Sequence, residues 1–437
     1  MAWPIAGIIE GFYGRPWSWD ERAAVLRACH GWGMTHYVYA PKDDPKHRHE
    51  WREPYDNDML AGFARLAGEQ TLAVGFGISP GLSIDYESAD DRASLAAKVD
   101  QVVATGVRLV VLALDDIPFG GAPLGQHHAA LTMWLCDHLG DRADVVLVPT
   151  EYVGVNPTPY LEALAAGVPA GVPIAWTGRA VVNDSITADD ARARASSLGG
   201  RPPLVWDNFP VNDGLMTDRL HLGPLWGRDD GLAGFCSGYL ANPMVQPLAS
   251  LLPLASAAAW LRGDDPLVAW AAEADARGWR VFAEACDGAV PAALVQHAVE
   301  WLNDPEAAPT HIAPLREWLE DAASCEAPGI DDAAAPWLDQ VHTEAQLGLD
   351  ALRLVELAHQ GRVERGIEQA FGVGLIWAAV RRAPQSVLDP RFGLQPVLGQ
   401  RPDGTWTFEP QSILEDHNAI DALLRASFAL FSRTSSA

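Results

Sequence analysis

Short runs of apolar and β-branched residues recur along the first three-fifths of the chain, with amphipathic stretches between them. The runs are PIAGIIEGFYG from Pro4, THYVYAPK from Thr35, TLAVGFGISP from Thr71, RLVVLALDD from Arg108 and DVVLVPTEY from Asp144. They continue with PIAWTGR from Pro173, PPLVWDN from Pro202 and GLAGFCSGYLANP from Gly231. These are about eight candidate strands, roughly thirty residues apart. Helical patterns fill the gaps: Trp19 to Trp32 carries Ala24, Leu26 and Ala28 among charges and ends at Gly33, a C-terminal helix signal. Strand–helix alternation repeated eight times predicts an α/β protein of the (β/α)8 TIM-type barrel class, whose strands are apolar because both faces are covered. The regular period disfavours a doubly wound open sheet.

After about Leu261 the strand signal stops and Ala-, Leu- and Glu-rich segments take over beyond Gly263, Asp264 and Asp265. The division expected is a catalytic barrel over 1–262 and an all-α helical bundle domain over 263–437. Within the second part, Leu338, Val341, Ala345, Leu349, Leu352 and Val355 form one helical stripe, read as core contacts of a bundle. A homodimer surface through this helical domain is the alternative. Near the end, the DG step in Gln400 to Phe408, flanked by Thr405, Trp406 and Phe408, predicts a small hairpin.

Composition narrows the partners. Lys plus Arg number 31 against 57 Asp plus Glu, a formal charge of −26, which repels phosphate backbones and anionic lipid. Neither nucleic acid nor a membrane is expected as a partner. Hydrophobic content of 49% with 17 Trp supplies ample core material and excludes a disordered chain. Cys29, Cys136, Cys236, Cys286 and Cys325 are odd in number and lack CxxC spacing, so they read as reduced thiols. Without a basic start or a long apolar segment in MAWPIAGIIEGFYG, the expectation is a cytoplasmic protein. The His residues, including His127 and His128, lack ligand spacing, and no Gly-rich phosphate loop precedes a helix. No metal and no cofactor are expected.

In a barrel of this class the chemistry lies at the C-terminal strand ends. Nearly every run here ends in polar or aromatic residues: Glu10, Gly11 and Tyr13; Lys42, Asp43 and Asp44; Asp115 and Asp116; Glu151 and Tyr152; Trp176 and Arg179; Trp206, Asp207 and Asn208, with Asp213 just beyond; Tyr239 and Asn242. Any one alone reads as a cap or loop residue, and an isolated Asp pair reads as a helix N-cap or turn. Their joint occurrence at matching places argues for a site instead.

The segments EGFYGRPW from Glu10, YAPKDDPKHR from Tyr39, WREPY from Trp51, PTEY from Pro149 and WDN followed by ND resemble glycoside hydrolase family 84, the β-N-acetylglucosaminidases that include the O-GlcNAcases. The resemblance runs from about Ile5 to Leu261. It implies a retaining hydrolase in which the substrate's acetamido oxygen, not an enzyme carboxylate, is the nucleophile, giving an oxazoline intermediate. By the same resemblance Asp115 aligns the acetamido group and stabilises its developing positive charge. Asp116 is the general acid, later the base for water. These roles demand different protonation states of two neighbouring carboxyls.

For binding, the resemblance implies that Asp213, Asn242 and Lys42 bond sugar hydroxyls, with the Gly11 backbone close by. Asn208 would hold the acetamido side or Asp115. Tyr152 and Trp206 would wall the acetyl methyl, with Tyr13 packed at the mouth. Glu10, Asp43, Asp44, Glu151 and Asp207 read as hydrogen-bonding support, and Arg15 and Arg48 as partners of such carboxylates. The pattern departs at Gly214, where the family commonly has an aromatic, and at Val211, so the aglycone side is expected to differ. The expected substrate is a GlcNAc-bearing glycoside or glycoprotein. The alternatives are a hyaluronan- or chitin-oligosaccharide hydrolase, and an inactive sugar-binding barrel. Against the last stands the presence of both Asp115 and Asp116, since a lectin needs neither a proton donor nor an oxazoline stabiliser.

Overall fold

The computed structural model describes residues 3–69, 72–388, 399–400, 406–407 and 418–435. Each apolar run forms a parallel strand: β1 Ala6–Glu10, β2 His36–Tyr39, β3 Ala73–Ile78, β4 Leu109–Ala113, β5 Asp144–Val148, β6 Ala175–Trp176, β7 Leu204–Asp207 and β8 Gly238–Ala241. Their order in the sheet is β5-β4-β3-β2-β1-β8-β7-β6. The ring is completed between its two outer strands by a parallel bridge, Leu147 to Ile174, with the Leu147 N–H donating to the Pro173 carbonyl at 3.0 Å, and past the strand ends by another, Val153 to Gly178. The fold is a nearly closed TIM-type barrel. Alternate strand residues fill its interior, among them Ile9, Val38, Val111, Val146, Leu204, Trp206 and Leu240.

The outer helices are α1 Trp19–Gly31, α2 Asn57–Gly68, α3 Ala89–Val103, α4 Gly121–Leu139, α5 Pro159–Gly167, α6 Ala188–Ser197 and α7 Leu251–Arg262. Their boundaries follow local chemistry. At α1, Ser18 accepts from the Glu21 N–H and Glu21 returns the bond to the Ser18 N–H, a capping box; past its end Gly33 takes a φ of 86° that disfavours other residues. The alternation is not complete: between β7 and β8 there are only two short 3₁₀ turns, Gly214–Met216 and Leu232–Gly234, and no α-helix. The connecting sequence is studded with Pro and Gly, which break a helical run.

By its contacts the chain divides into two compact units. One comprises Met1–Gly214, Pro224–Ala269 and Gln395–Gln411; the other Leu215–Gly223, Trp270–Leu394 and Ser412–Ala437. The helices that follow the barrel are α8 Pro266–Arg277, α9 Arg280–Asp287, α10 Ala289–Trp301, α11 Ala308–His311, α12 Ala313–Ala322, α13 Ala335–His359, α14 Val363–Val380 and α15 Ala419–Ser435. The stripe on α13 is wider than the spacing suggests. Val341, Ala345, Leu352 and Val355 are fully buried while Leu338 and Leu349 are half-buried, and the helix packs against α12, α14 and α15. Gly399–Gln400 pairs antiparallel with Trp406–Thr407, the two arms of the expected hairpin; its turn, with Thr405, and Phe408 lie outside the described residues. All five cysteines are free thiols. No helix among the described residues is long and apolar enough to cross a membrane.

Candidate active site

The strand β4 ends at Ala113, and the next residues turn Asp115 and Asp116 into different surroundings. Asp115 is buried. Its Oδ2 accepts from Lys42 Nζ at 2.5 Å, while its Oδ1 is shielded from solvent and has no hydrogen-bond partner among the described residues. Asp116 has a φ of 53°, rare for a residue with a Cβ though least costly for Asp and Asn, and its side chain is about one-third exposed. Its Oδ1 accepts from Tyr152 Oη at 3.0 Å and its Oδ2 from Tyr13 Oη at 2.9 Å. Lys42 Nζ and Arg48 Nη1 each stand 3.9 Å from Asp116 Oδ2. Two adjacent carboxyls thus differ in kind, one enclosed and bound to an ammonium, the other open and held by two phenols.

Lys42 follows β2, where its N–H donates to the Phe12 carbonyl and ties two strand-end loops together. Burial opposes its charge, but the Asp115 and Asp116 carboxylates outweigh burial and raise its pKa. The same ammonium lies 5.9 Å from the Trp206 ring centroid. Tyr13 bridges the site: its hydroxyl reaches Asp116, and its N–H donates to Asp213 Oδ2 at 2.7 Å. Burial, and then the Asp116 charge, raise the Tyr13 phenol, and the same two causes hold Tyr152 well above the usual tyrosine range. Both hydroxyls therefore remain donors at working pH. Burial also raises the Asp213 carboxyl, against the Tyr13 N–H bond that lowers it.

On the β7 and β8 side, Asn242 Oδ1 accepts the Gly11 N–H at 3.1 Å and its Nδ2 donates to Asn208 Oδ1 at 3.0 Å. Asn208 also accepts from Trp206 Nε1 and donates to the Val181 carbonyl. Its amide is therefore engaged in holding Trp206 and Asn242, not Asp115. A Cβ at Gly11 would lie 2.4 Å from the Trp206 ring, so glycine there makes room for the indole.

The structure thus gathers Gly11, Tyr13, Lys42, Asp115, Asp116, Tyr152, Trp206, Asn208, Asp213 and Asn242 at the C-terminal strand ends in one connected set. The supporting carboxylates lie behind it. Glu10 takes a two-point bond from Arg22 at 2.8 Å and one from Tyr37. Asp207 takes the same from Arg228 and Tyr239, and Asp44 accepts from Tyr39 and Tyr55. Asp43 accepts the Gly14 N–H, and Glu151 accepts from Thr158. Arg15 pairs with Glu21 on α1, away from the doublet. His128 is buried between the Tyr86 and Tyr160 hydroxyls, and burial lowers its pKa to about 3, which makes it a neutral core residue. In the sequence Arg48 reads only as a carboxylate partner, and Arg228 goes unmarked: it lies 21 positions from Asp207 in no motif, so no local signal points to it.

Carboxyls, amides and one ammonium around the strand-end opening of a parallel barrel are the makings of a sugar-processing hydrolase. A family model described as NAGidase, beta-N-acetylglucosaminidase, matches residues 6–284, and the chain belongs to this family of glycoside hydrolases. The chain is similar to the Protein O-GlcNAcase of Rattus norvegicus and of Mus musculus, 32% identical over 277 residues in each case. That match covers 60% of this chain and 30% of the length of those relatives. In fold it is similar to a variant of the O-GlcNAc hydrolase of Thermobaculum terrenum, with a TM-score of 0.81 at 22% identity, covering 99% of this chain and 94% of the other.

Proposed function

We propose that this protein is an exo-acting, retaining β-N-acetylglucosaminidase that releases terminal GlcNAc, from O-modified proteins or small glycoconjugates, with the substrate's acetamido oxygen as nucleophile. The observation that carries this reading is the buried, unpartnered Asp115 Oδ1 beside an Asp115 Oδ2 already held by Lys42. A buried carboxylate oxygen lacking a donor is costly, and a substrate N–H is the donor it needs. Accepting the acetamido N–H swings the amide oxygen toward the anomeric carbon. The Asp115 charge then offsets the positive charge that grows on the closing ring.

Asp116 supplies the other half. Its more open carboxyl gives a proton to the departing oxygen, while the Tyr13 and Tyr152 hydroxyls are in place to stabilise the carboxylate left behind. In the second half-reaction the same carboxylate takes a proton from water, which opens the oxazoline with net retention. Asp213, Asn242 and Lys42 carry acceptors and donors for the sugar hydroxyls, and Trp206 with Tyr152 offers apolar surface for the acetyl methyl. The test is incubation with a chromogenic β-GlcNAc glycoside, with and without chelator. Chelator-insensitive release with retained anomeric configuration supports the reading; no release, or release that chelator abolishes, overturns it.

A further inference from the structure

Arg48 lies in the connection after β2 and is buried. Its Nη1 donates to Tyr13 Oη at 2.7 Å and its Nη2 to the Asp116 carbonyl oxygen at 3.3 Å. A guanidinium has only donors to offer, so Tyr13 Oη must accept from Arg48, and its single proton is left to point at Asp116 Oδ2, 2.9 Å away. The second contact holds the peptide of Asp116, the residue whose φ of 53° turns its side chain away from the strand direction. The segment that delivers Arg48 is itself fixed. His47 is fully buried, its Nδ1 lies 2.8 Å from the Gly77 carbonyl, its N–H donates to the Asp44 carbonyl and its own carbonyl accepts from Ser79.

We propose that Arg48 is a positioning residue for the acid: through Tyr13 and through the Asp116 peptide it aims the Asp116 carboxyl and supports it as it becomes a carboxylate. This rests on the assignment of Asp116 as general acid. Burial opposes the Arg48 charge, but Tyr13 and the two aspartates outweigh it, so the guanidinium stays positive throughout the working range. The groups facing Asp116 are the Tyr13 and Tyr152 hydroxyls, the Lys42 and Arg48 cations, the neighbouring Asp115, and Asp213, whose charge interacts with it. Of these, Arg48 is the one that touches both the backbone of Asp116 and a hydroxyl bound to its carboxyl.

The experiment compares wild type, Arg48→Gln and Arg48→Lys on aryl β-GlcNAc glycosides of graded leaving-group ability, over pH, and repeats Arg48→Gln in an Asp116→Ala background. General-acid assistance is worth about 10²- to 10⁴-fold, and losing part of it should cost Arg48→Gln about 10-fold on the poorest leaving groups and little on the best. Loss of the cation should move the high-pH limb of the rate profile upward, and Arg48→Lys, which keeps the charge, should restore the limb more than the rate. In the Asp116→Ala background the Arg48→Gln change should alter rates by less than about twofold, because the two residues act as a unit. Equal losses on all leaving groups with an unmoved limb, or full additivity with Asp116→Ala, would make Arg48 structural only and overturn the proposal. If Asp116→Ala itself shows no leaving-group dependence, the acid assignment falls first and this proposal with it. Should Arg48→Gln fail to fold, Arg48→Met, which also removes the charge, carries the same comparisons.

Discussion

Lys42 Nζ sits 2.5 Å from Asp115 Oδ2, with the two side chains 3% and 8% exposed. An ion pair this buried gains little over an apolar pair of the same volume, but removing one partner strands the other. Lys42→Met should therefore destabilise the barrel by about 3–5 kcal/mol, and adding Asp115→Leu should recover part of that loss. Urea unfolding midpoints of wild type and the two variants check this. A single variant as stable as wild type would mean that the pair is not enclosed in solution.

Asp116→Ala should impair substrates with poor leaving groups by about 10²- to 10⁴-fold while sparing an aryl glycoside whose leaving group needs no proton. The check is kcat/KM on both substrate types. Equal losses would move the acid elsewhere, with Glu151, the next carboxyl along the strand ends, as the first residue to try.

Asp213 is tied to the loop after β1 through the Tyr13 N–H. Asp213→Ala should lower kcat/KM and weaken binding of the terminal sugar, with the fold retained. A specificity constant equal to wild type would remove Asp213 from the sugar-binding set.

Asp287, outside the site, gives a pH signature for the second unit. Burial raises its carboxyl from 3.8 to about 6, with the Ala289 N–H acting in the opposite direction. A raised carboxyl favours the protonated fold, so its contribution is fully present below about pH 4 and lost as pH climbs through 6. Relative to wild type, Asp287→Asn should therefore gain on the order of 2–3 kcal/mol between pH 4 and pH 7. Thermal unfolding of the two proteins across that range reads the difference, and parallel curves would contradict it.

The strands and most site residues were legible because each sits in a contiguous motif whose apolar run and polar end are local features. What joins them was not. Gly11 meets Asn242 across 231 positions and Tyr13 meets Asp213 across 200, so no spacing rule could pair them. The glycine at position 11 could be seen to need closeness, but not that Trp206 fills the space. Asn208 could be placed at the strand end, but which of its neighbours took its amide depended on the loop carrying Val181. The helix expected between β7 and β8 from the period of about thirty residues is absent because Pro and Gly interrupt that connection, a local signal that outweighs the period.

In the proposed mechanism the nucleophile belongs to the substrate. The direct measurement is the hydrolysis rate of aryl β-glycosides whose acetyl methyl carries zero, one, two or three fluorines. Each fluorine withdraws electron density from the acetamido oxygen, so kcat/KM should fall steeply along the series. Asp115→Asn should also lose activity severely, because an amide offers no anionic acceptor for the N–H and the developing charge. A thiazoline mimic of the closed ring should bind far more tightly than GlcNAc. A flat fluoroacetyl series, with a covalent sugar adduct trapped on a carboxylate, would contradict the account, since Asp115 or Asp116 would then be an ordinary enzyme nucleophile.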